Sequence, residues 1–262
     1  MPKPEILDSS LIQGEVKPEL VSGITDLISK VHQDLPRAIE MGRESPAKIP
    51  EKVDVLIHAL AYRVADLSRA YAREANARSL TPCFLLARAL MEAACLAYDI
   101  AARVSEIVKV GSTEKLSDLD VHLTRVMHGA KSKVWRPEED DPEAVNVLTI
   151  LDRTVKTLGP GLRQNFEDIS EFAHPNAAGV MSSYGDLDTD RQVFTFCAEP
   201  ARSELHAVAW HMRSATLSLA VFDAARKLWT HHRRGCVSIC EREIFEHGTW
   251  PKGVQYPLSH TG

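Results

Sequence analysis

The sequence predicts an all-α (mainly α) fold, a multi-helix bundle of about seven helices with one inserted β-hairpin. Three observations carry this. Apolar residues recur at helical spacing through most of the 262 residues. Prolines and glycines punctuate the chain at intervals that suit helices of ordinary length. Only two short stretches, 180–184 and 192–196, are β-branched and aromatic in the manner of strands.

Taken in order, residues 1–16 lack a pattern and read as a flexible segment, and residues 17–246 read as one helical domain. Val21, Ile24, Leu27, Ile28, Val31 and Leu35 share one face of a helix from Pro18 to Ala38. The loop 41–50, rich in Gly and Pro, ends it. Pro50 opens a second helix to Asn76, with Val53, Leu56, Ile57, Leu60, Val64 and Leu67 inward. Ser79 or Thr81 caps a third, which runs to Val110 and is apolar nearly all round, so it is expected at the centre. A fourth covers Lys115 to Ala130 and is followed by the acidic connector 136–142. Helices at Pro142–Leu158 and Pro160–Ala173 come next, separated by Gly159. The hairpin is expected over 180–197, with Gly185–Asp190 as its turn, at one end of the bundle or in a homodimer contact. A last helix starts at Pro200 and stops at Gly235 after the basic turn His231-His232-Arg233-Arg234. Residues 247–262 read as an irregular tail.

A net charge of -5 argues against a broad basic surface for nucleic acid or anionic membrane. No run reaches the roughly 18 uninterrupted apolar residues of a membrane span, and the first residues lack the layout of a signal peptide. The five cysteines are scattered. A reduced, cytoplasmic protein without membrane contact is expected.

Two constellations stand out. On the third helix the only charges between Thr81 and Val104 are Arg88, Glu92, Asp99 and Arg103, within an arc of roughly 60°. Arg88/Glu92 and Asp99/Arg103 are each four residues apart and can pair along the helix. The stripe is either a solvated or closed ion-pair network or one wall of a ligand pocket. The second constellation is the segment from Glu171 through His174-Pro175-Asn176 to Gly179. Pro175 pushes His174 out of the α region, so its ring sits at a helix end, on the face that carries Asp168 and Glu171. His174 and Asn176 either cap that end or serve chemistry: His174 as acid/base or phosphate contact, Arg88 as anion clamp, Glu92 or Glu171 orienting the ring.

The run Arg88-Ala-Leu-Met-Glu92, followed downstream by Ile169-Ser-Glu-Phe-Ala-His174-Pro-Asn176 and a hairpin, resembles a family of bacterial all-α proteins of uncharacterised activity. That family is related in turn to HEPN-like (higher eukaryotes and prokaryotes nucleotide-binding) helical domains. The likeness covers about residues 50–235. It implies the fold, with Arg88, Glu92, His174 and Asn176 at the family-pattern positions. Ribonucleases of the wider group carry an arginine four to six residues before a histidine on a late helix. Here Arg226–His231, Arg226–His232 and Arg242–His247 meet a similar spacing. With 11 histidines in the chain such pairs arise by chance, and Lys227 stands where a small polar residue belongs.

Other patterns are decoys. Asp186, Asp188 and Asp190 imitate a calcium loop, but Arg191 and Cys197 replace its glycine and glutamate. Cys236 and Cys240 share a helix face near His232 and His247, without the spacing of a zinc finger or ribbon. No metal and no cofactor is expected. The expected function is binding of an anionic small molecule or RNA phosphate between the Arg88/Glu92 helix and the His174 turn, with Asn176, Asp99 and Arg103 contributing. The alternatives are a metal-independent ribonuclease or phosphodiesterase using His174 and Glu171, and a non-enzymatic scaffold in a defence or toxin–antitoxin system.

Overall fold

The computed structural model describes residues 5–8, 16–39, 48–132, 134, 142–175, 184–196 and 205–247. Among them are seven helices: α1 (Pro18–Gln33), α2 (Lys48–Asn76), α3 (Leu80–Val110), α4 (Leu116–His128), α5 (Val147–Leu158), α6 (Gly161–Ala173) and α7 (Leu205–His247). The fold is mainly α. The strands β1 (Gly185–Asp188) and β2 (Val193–Phe196) pair antiparallel, with Gly185 opposite Phe196 and Asp188 opposite Val193. The pairing therefore begins in the stretch expected to be the turn, and residues 180–183 lie outside the described ones. Asp188 explains the shift: its Oδ1 accepts from the backbone N–H of Asp190 (3.1 Å) and Arg191 (2.9 Å) and closes a tighter turn.

Helix α3 is central and packs against α2, α4, α5, α6 and α7. It has the length and hydropathy of a membrane span, and 56% of that stretch is buried against its neighbours. Its main partner is α7. Phe84 meets His211 with ring centroids 5.6 Å apart, Ser105 Oγ lies 3.0 Å from His232 Nε2, and Val108 abuts Gly235. All three pairs share one sequence offset of 127, so the two helices run parallel and in register over a span of about 36 Å. Phe84, Ser105 and Val108 fall on the a and d positions of a heptad seam. The same offset sets Met91 against Ser218 and Tyr98 against Ala225, large side chains against small ones, and all four are buried. Full burial of each large side chain contributes about 1.5–3 kcal/mol.

Three boundaries differ from expectation by more than two residues. Helix α7 does not stop at Gly235. That glycine is used for close approach, because a Cβ there would come within 2.6 Å of Val108 Cγ1. The histidines His231 and His232 are consequently inside the helix rather than at its end. Helix α5 starts at Val147, not Pro142, since the Asn146 side chain caps it by accepting from Leu148 N–H at 2.9 Å. Helix α1 ends at Gln33, short of Ala38 and before Pro36. Within the N-terminal segment, residues 5–8 are anchored. Leu7 is buried, and the Asn76 carboxamide donates to Ile6 O and accepts from Asp8 N–H.

Gly235→Ala is expected to lower stability by about 1 kcal/mol, because overpacking against a stiff valine outweighs the gain in helix propensity. In a Val108→Ala background the same change should stabilise. Urea unfolding of the four proteins checks this. A stabilising Gly235→Ala in the native background would mean that α3 and α7 separate freely.

Candidate functional site

The seam with α7 turns the charged stripe of α3 toward α4, α5 and α6, and those helices divide it into two centres. At the N-terminal one, Arg88 Nε donates to Glu92 Oε1 at 3.3 Å, and Arg88 Nη1 lies 3.4 Å from His174 Nε2. The Phe166 ring of α6 sits beneath the guanidinium, 5.4 Å from its carbon to the ring centroid. His174 follows α6 with extended backbone (φ -90, ψ 150), as the proline after it requires, and its N–H reaches Ser170 O. Phe172 anchors that end of α6 by stacking on Phe84, with centroids 4.4 Å apart. His174 and Glu171 are exposed. Asp168 accepts from Gln164 Nε2 (2.8 Å), which keeps it on α6. Asn176 and Gly179 lie outside the described residues.

Asp99 and Arg103 do not join that contact. Asp99 lies seven residues beyond Glu92, about 10 Å along the axis, and it is 4% exposed. Its Oδ2 takes Arg103 Nε at 3.0 Å, with Arg153 Nη1 of α5 at 3.9 Å. His122 Nε2 of α4 comes within 3.0 Å of the same oxygen, off the line of a good hydrogen bond. A carboxylate this deeply buried would cost several kcal/mol without such neighbours. Two clefts flank the cluster and share Arg103 and Arg153: one of about 560 Å³ along Tyr98, Lys109 and Thr157, and one of about 370 Å³ between α4 and α5.

Other polar groups are structural. Tyr71 Oη lies 2.7 Å from His211 Nδ1, and both residues are buried, out of reach of any ligand. Asp54 accepts from Trp229 Nε1 (2.8 Å) and Arg233 Nε (3.0 Å), joining α2 to α7, and Lys52 pairs with Asp120 between α2 and α4. Burial pushes the thiols of Cys83 and Cys95 up to about 12, so neither is a nucleophile near neutrality. Cys240 is pushed up as well, first by its contact with the Cys236 thiol and then by burial. His232 turns to Ser105 rather than toward these thiols. Among the described residues no group of three or more His, Cys, Asp or Glu side chains is arranged to hold a metal ion. Of the late Arg–His spacings, the members of the Arg226–His231 pair turn to other partners: Arg226 pairs with Asp34, just beyond α1, at 3.3 Å, and His231 stacks edge-on against His232.

Compared with known proteins, the chain matches no family model, no curated protein and no solved structure. The geometry therefore stands by itself. It joins Arg88, Glu92 and His174 across 86 residues and sets Asp99 with Arg103 elsewhere. His122 and Arg153 were missed from sequence. The signal for His122 was present: with Asp120 it interrupts the stripe Leu116, Leu119, Leu123 that α4 buries.

Burial drives the pKa of His211 down to about 3, against about 6.5 for an unfolded histidine. Between these values the unfolded chain takes up a proton that the folded chain refuses. This contribution is complete above pH 6.5 and is lost as pH falls toward 3, by about 1.4 kcal/mol per unit. Thermal melts of His211→Asn should therefore lose stability less steeply from pH 6 to pH 4 than the native chain. Equal slopes would mean that the fold accepts a protonated His211.

Proposed function

We propose that the chain is a HEPN-like helical-bundle protein that binds an anionic ligand, a nucleotide or an RNA phosphate, where α3 meets α6. The observation that carries this reading is the 3.4 Å approach of Arg88 Nη1 to His174 Nε2, between the two segments on which the family resemblance rests. Glu92 engages one side of the guanidinium, and Phe166 packs beneath it. A fork held in this way suits two-pronged recognition of a phosphate, with the exposed imidazole as a neighbouring donor. Phosphate contacts of this exposed kind are salt-dependent and tolerant of sequence.

The second reading is enzymatic, a metal-independent ribonuclease or phosphodiesterase. It is favoured by the same imidazole, which is exposed and stands beside a cation able to stabilise charge building on a phosphorane. If neither activity is present, the Arg88–His174 contact is a device that seats α6 in an interaction scaffold.

Arg88→Gln is expected to weaken binding of a single-stranded RNA oligonucleotide at least tenfold at low salt, with an unchanged melting temperature. Fluorescence anisotropy measures the affinity. Full retention of binding in the variant, or none in the native chain, would sink the binding reading. In the same RNA, cleavage abolished by His174→Ala would establish the enzymatic role, and cleavage that the change leaves intact would remove it.

A further inference from the structure

We propose that the cleft of about 370 Å³ between α4 and α5 is a second, separate anion site, built for a phosphate or phosphomonoester group. It is distinct from the Arg88–His174 contact and does not depend on it. Three arginines from three helices converge on this cleft: Arg103 of α3, Arg125 of α4 and Arg153 of α5. Two of them are set in place from behind, since Asp99, itself buried, receives Arg103 Nε at 3.0 Å and has Arg153 Nη1 at 3.9 Å. Arg125 is fixed by its Nε donating to Glu143 O at 3.1 Å.

The lining also contains a buried imidazole. His122 is 8% exposed, and its Nε2, 3.0 Å from Asp99 Oδ2 but out of line with it, has no well-formed hydrogen-bond partner among the described residues. The opposite lip is the N-terminus of α5, where Asn146 caps the helix and Thr149 stands in its first turn. A helix of twelve residues brings its positive dipole end to that lip. The lip itself is positioned by backbone. Ala130 N–H donates to Pro142 O and Ala144 N–H to Ala130 O, so the chain entering α5 is laid against the end of α4. Only a glycine fits beneath it at position 129, where a Cβ would lie 2.8 Å from Ala144. The carboxylates of Asp118 and Glu143 also edge the cleft, and both residues are exposed, where water and salt screen them.

This constellation differs from a surface ion-pair network in one respect. A closed network would neutralise each arginine with its own carboxylate, whereas among the described residues Arg103 and Arg153 share the single carboxylate of Asp99 and Arg125 is held by an uncharged carbonyl. Cationic N–H groups thus remain directed to the cleft, and an oxyanion with several acceptors is the ligand class that satisfies them together.

The test uses the full chain with inorganic phosphate and methyl phosphate as probes, followed by calorimetry at low ionic strength. Saturable one-to-one binding is expected, weakened at least tenfold by Arg153→Gln and by Arg125→Gln. Both positions are exposed, so the variants should fold, and circular dichroism confirms it. Arg191→Gln, which removes an equal charge from the β1–β2 turn, should leave the affinity within twofold. No saturable binding, or equal loss in all three variants, would overturn the site. Binding that responds to Arg88→Gln but not to Arg153→Gln would also overturn it, while leaving the α3–α6 reading intact.

Discussion

Small side chains on both sides of the α3–α7 seam leave α3 a single rotation about its axis. With an offset of 127 at Phe84–His211, Ser105–His232 and Val108–Gly235, a slip of one residue would drive a large side chain into a position cut for a small one. Two seam positions also carry histidines, each with a buried partner: His211 with Tyr71 and His232 with Ser105. A polar residue at such a position costs stability and penalises every register that strands it. Gly235 and the two histidines together constrain the seam more tightly than apolar packing alone would. Every other contact made by α3 is set by this fixed rotation.

The rotation decides what the charged stripe can do. Its four residues lie in a narrow arc, yet they meet different partners because α6 covers one half and α4 with α5 cover the other. At Arg88 the guanidinium is a third exposed or less and rests on an aromatic ring, so its charge is screened by water and its position is held weakly. At Asp99 the carboxylate is buried, and the guanidiniums of Arg103 and Arg153 and the imidazole of His122, from three helices, gather on one oxygen. In that less polar setting each interaction is stronger, and removal of Asp99 would leave the two guanidiniums without their shared carboxylate. One stripe thus yields an adaptable surface centre and a rigid interior one.

Much of the architecture was legible in the sequence, because amphipathic periodicity reports directly which face of each helix is buried. The central place of α3 follows from its nearly all-round apolar surface, and the Arg88–His174 juxtaposition was reached from two short motifs. What could not be read is informative in physical terms. Gly235 looks like a terminator after a basic turn, but a glycine also permits close approach, and only the presence of Val108 across the interface separates the two uses. Asn146 is a good helix cap, yet Pro142 offers an equally valid start until the Ala130–Glu143 bridge takes residues 142–144 away from the helix. The division of the stripe was hidden for a related reason. Periodicity places Asp99 and Arg103 on the same face as Arg88, but the identity of the helix lying over each turn of that face is a property of the whole fold.

The two centres also differ in what binding would cost. Ordering a long cationic side chain on association takes about 0.5–1.5 kcal/mol. Arg103 is already ordered by a buried carboxylate, and Arg125 by a backbone carbonyl, so most of that cost was met when the chain folded. Such preorganisation favours a small ligand with few contacts, because each contact must contribute nearly its full strength. Arg88 and His174 keep more freedom and more water, which suits a polyanion that supplies many contacts at once and is gathered by counterion release. The separation of Arg88 and Arg103 along the helix, about 22 Å, is too great for one phosphate to bridge. Because α3 carries both centres in one fixed orientation, a change that shifts the α3–α7 register would disturb them together, whereas a change within either cleft or contact acts on one alone.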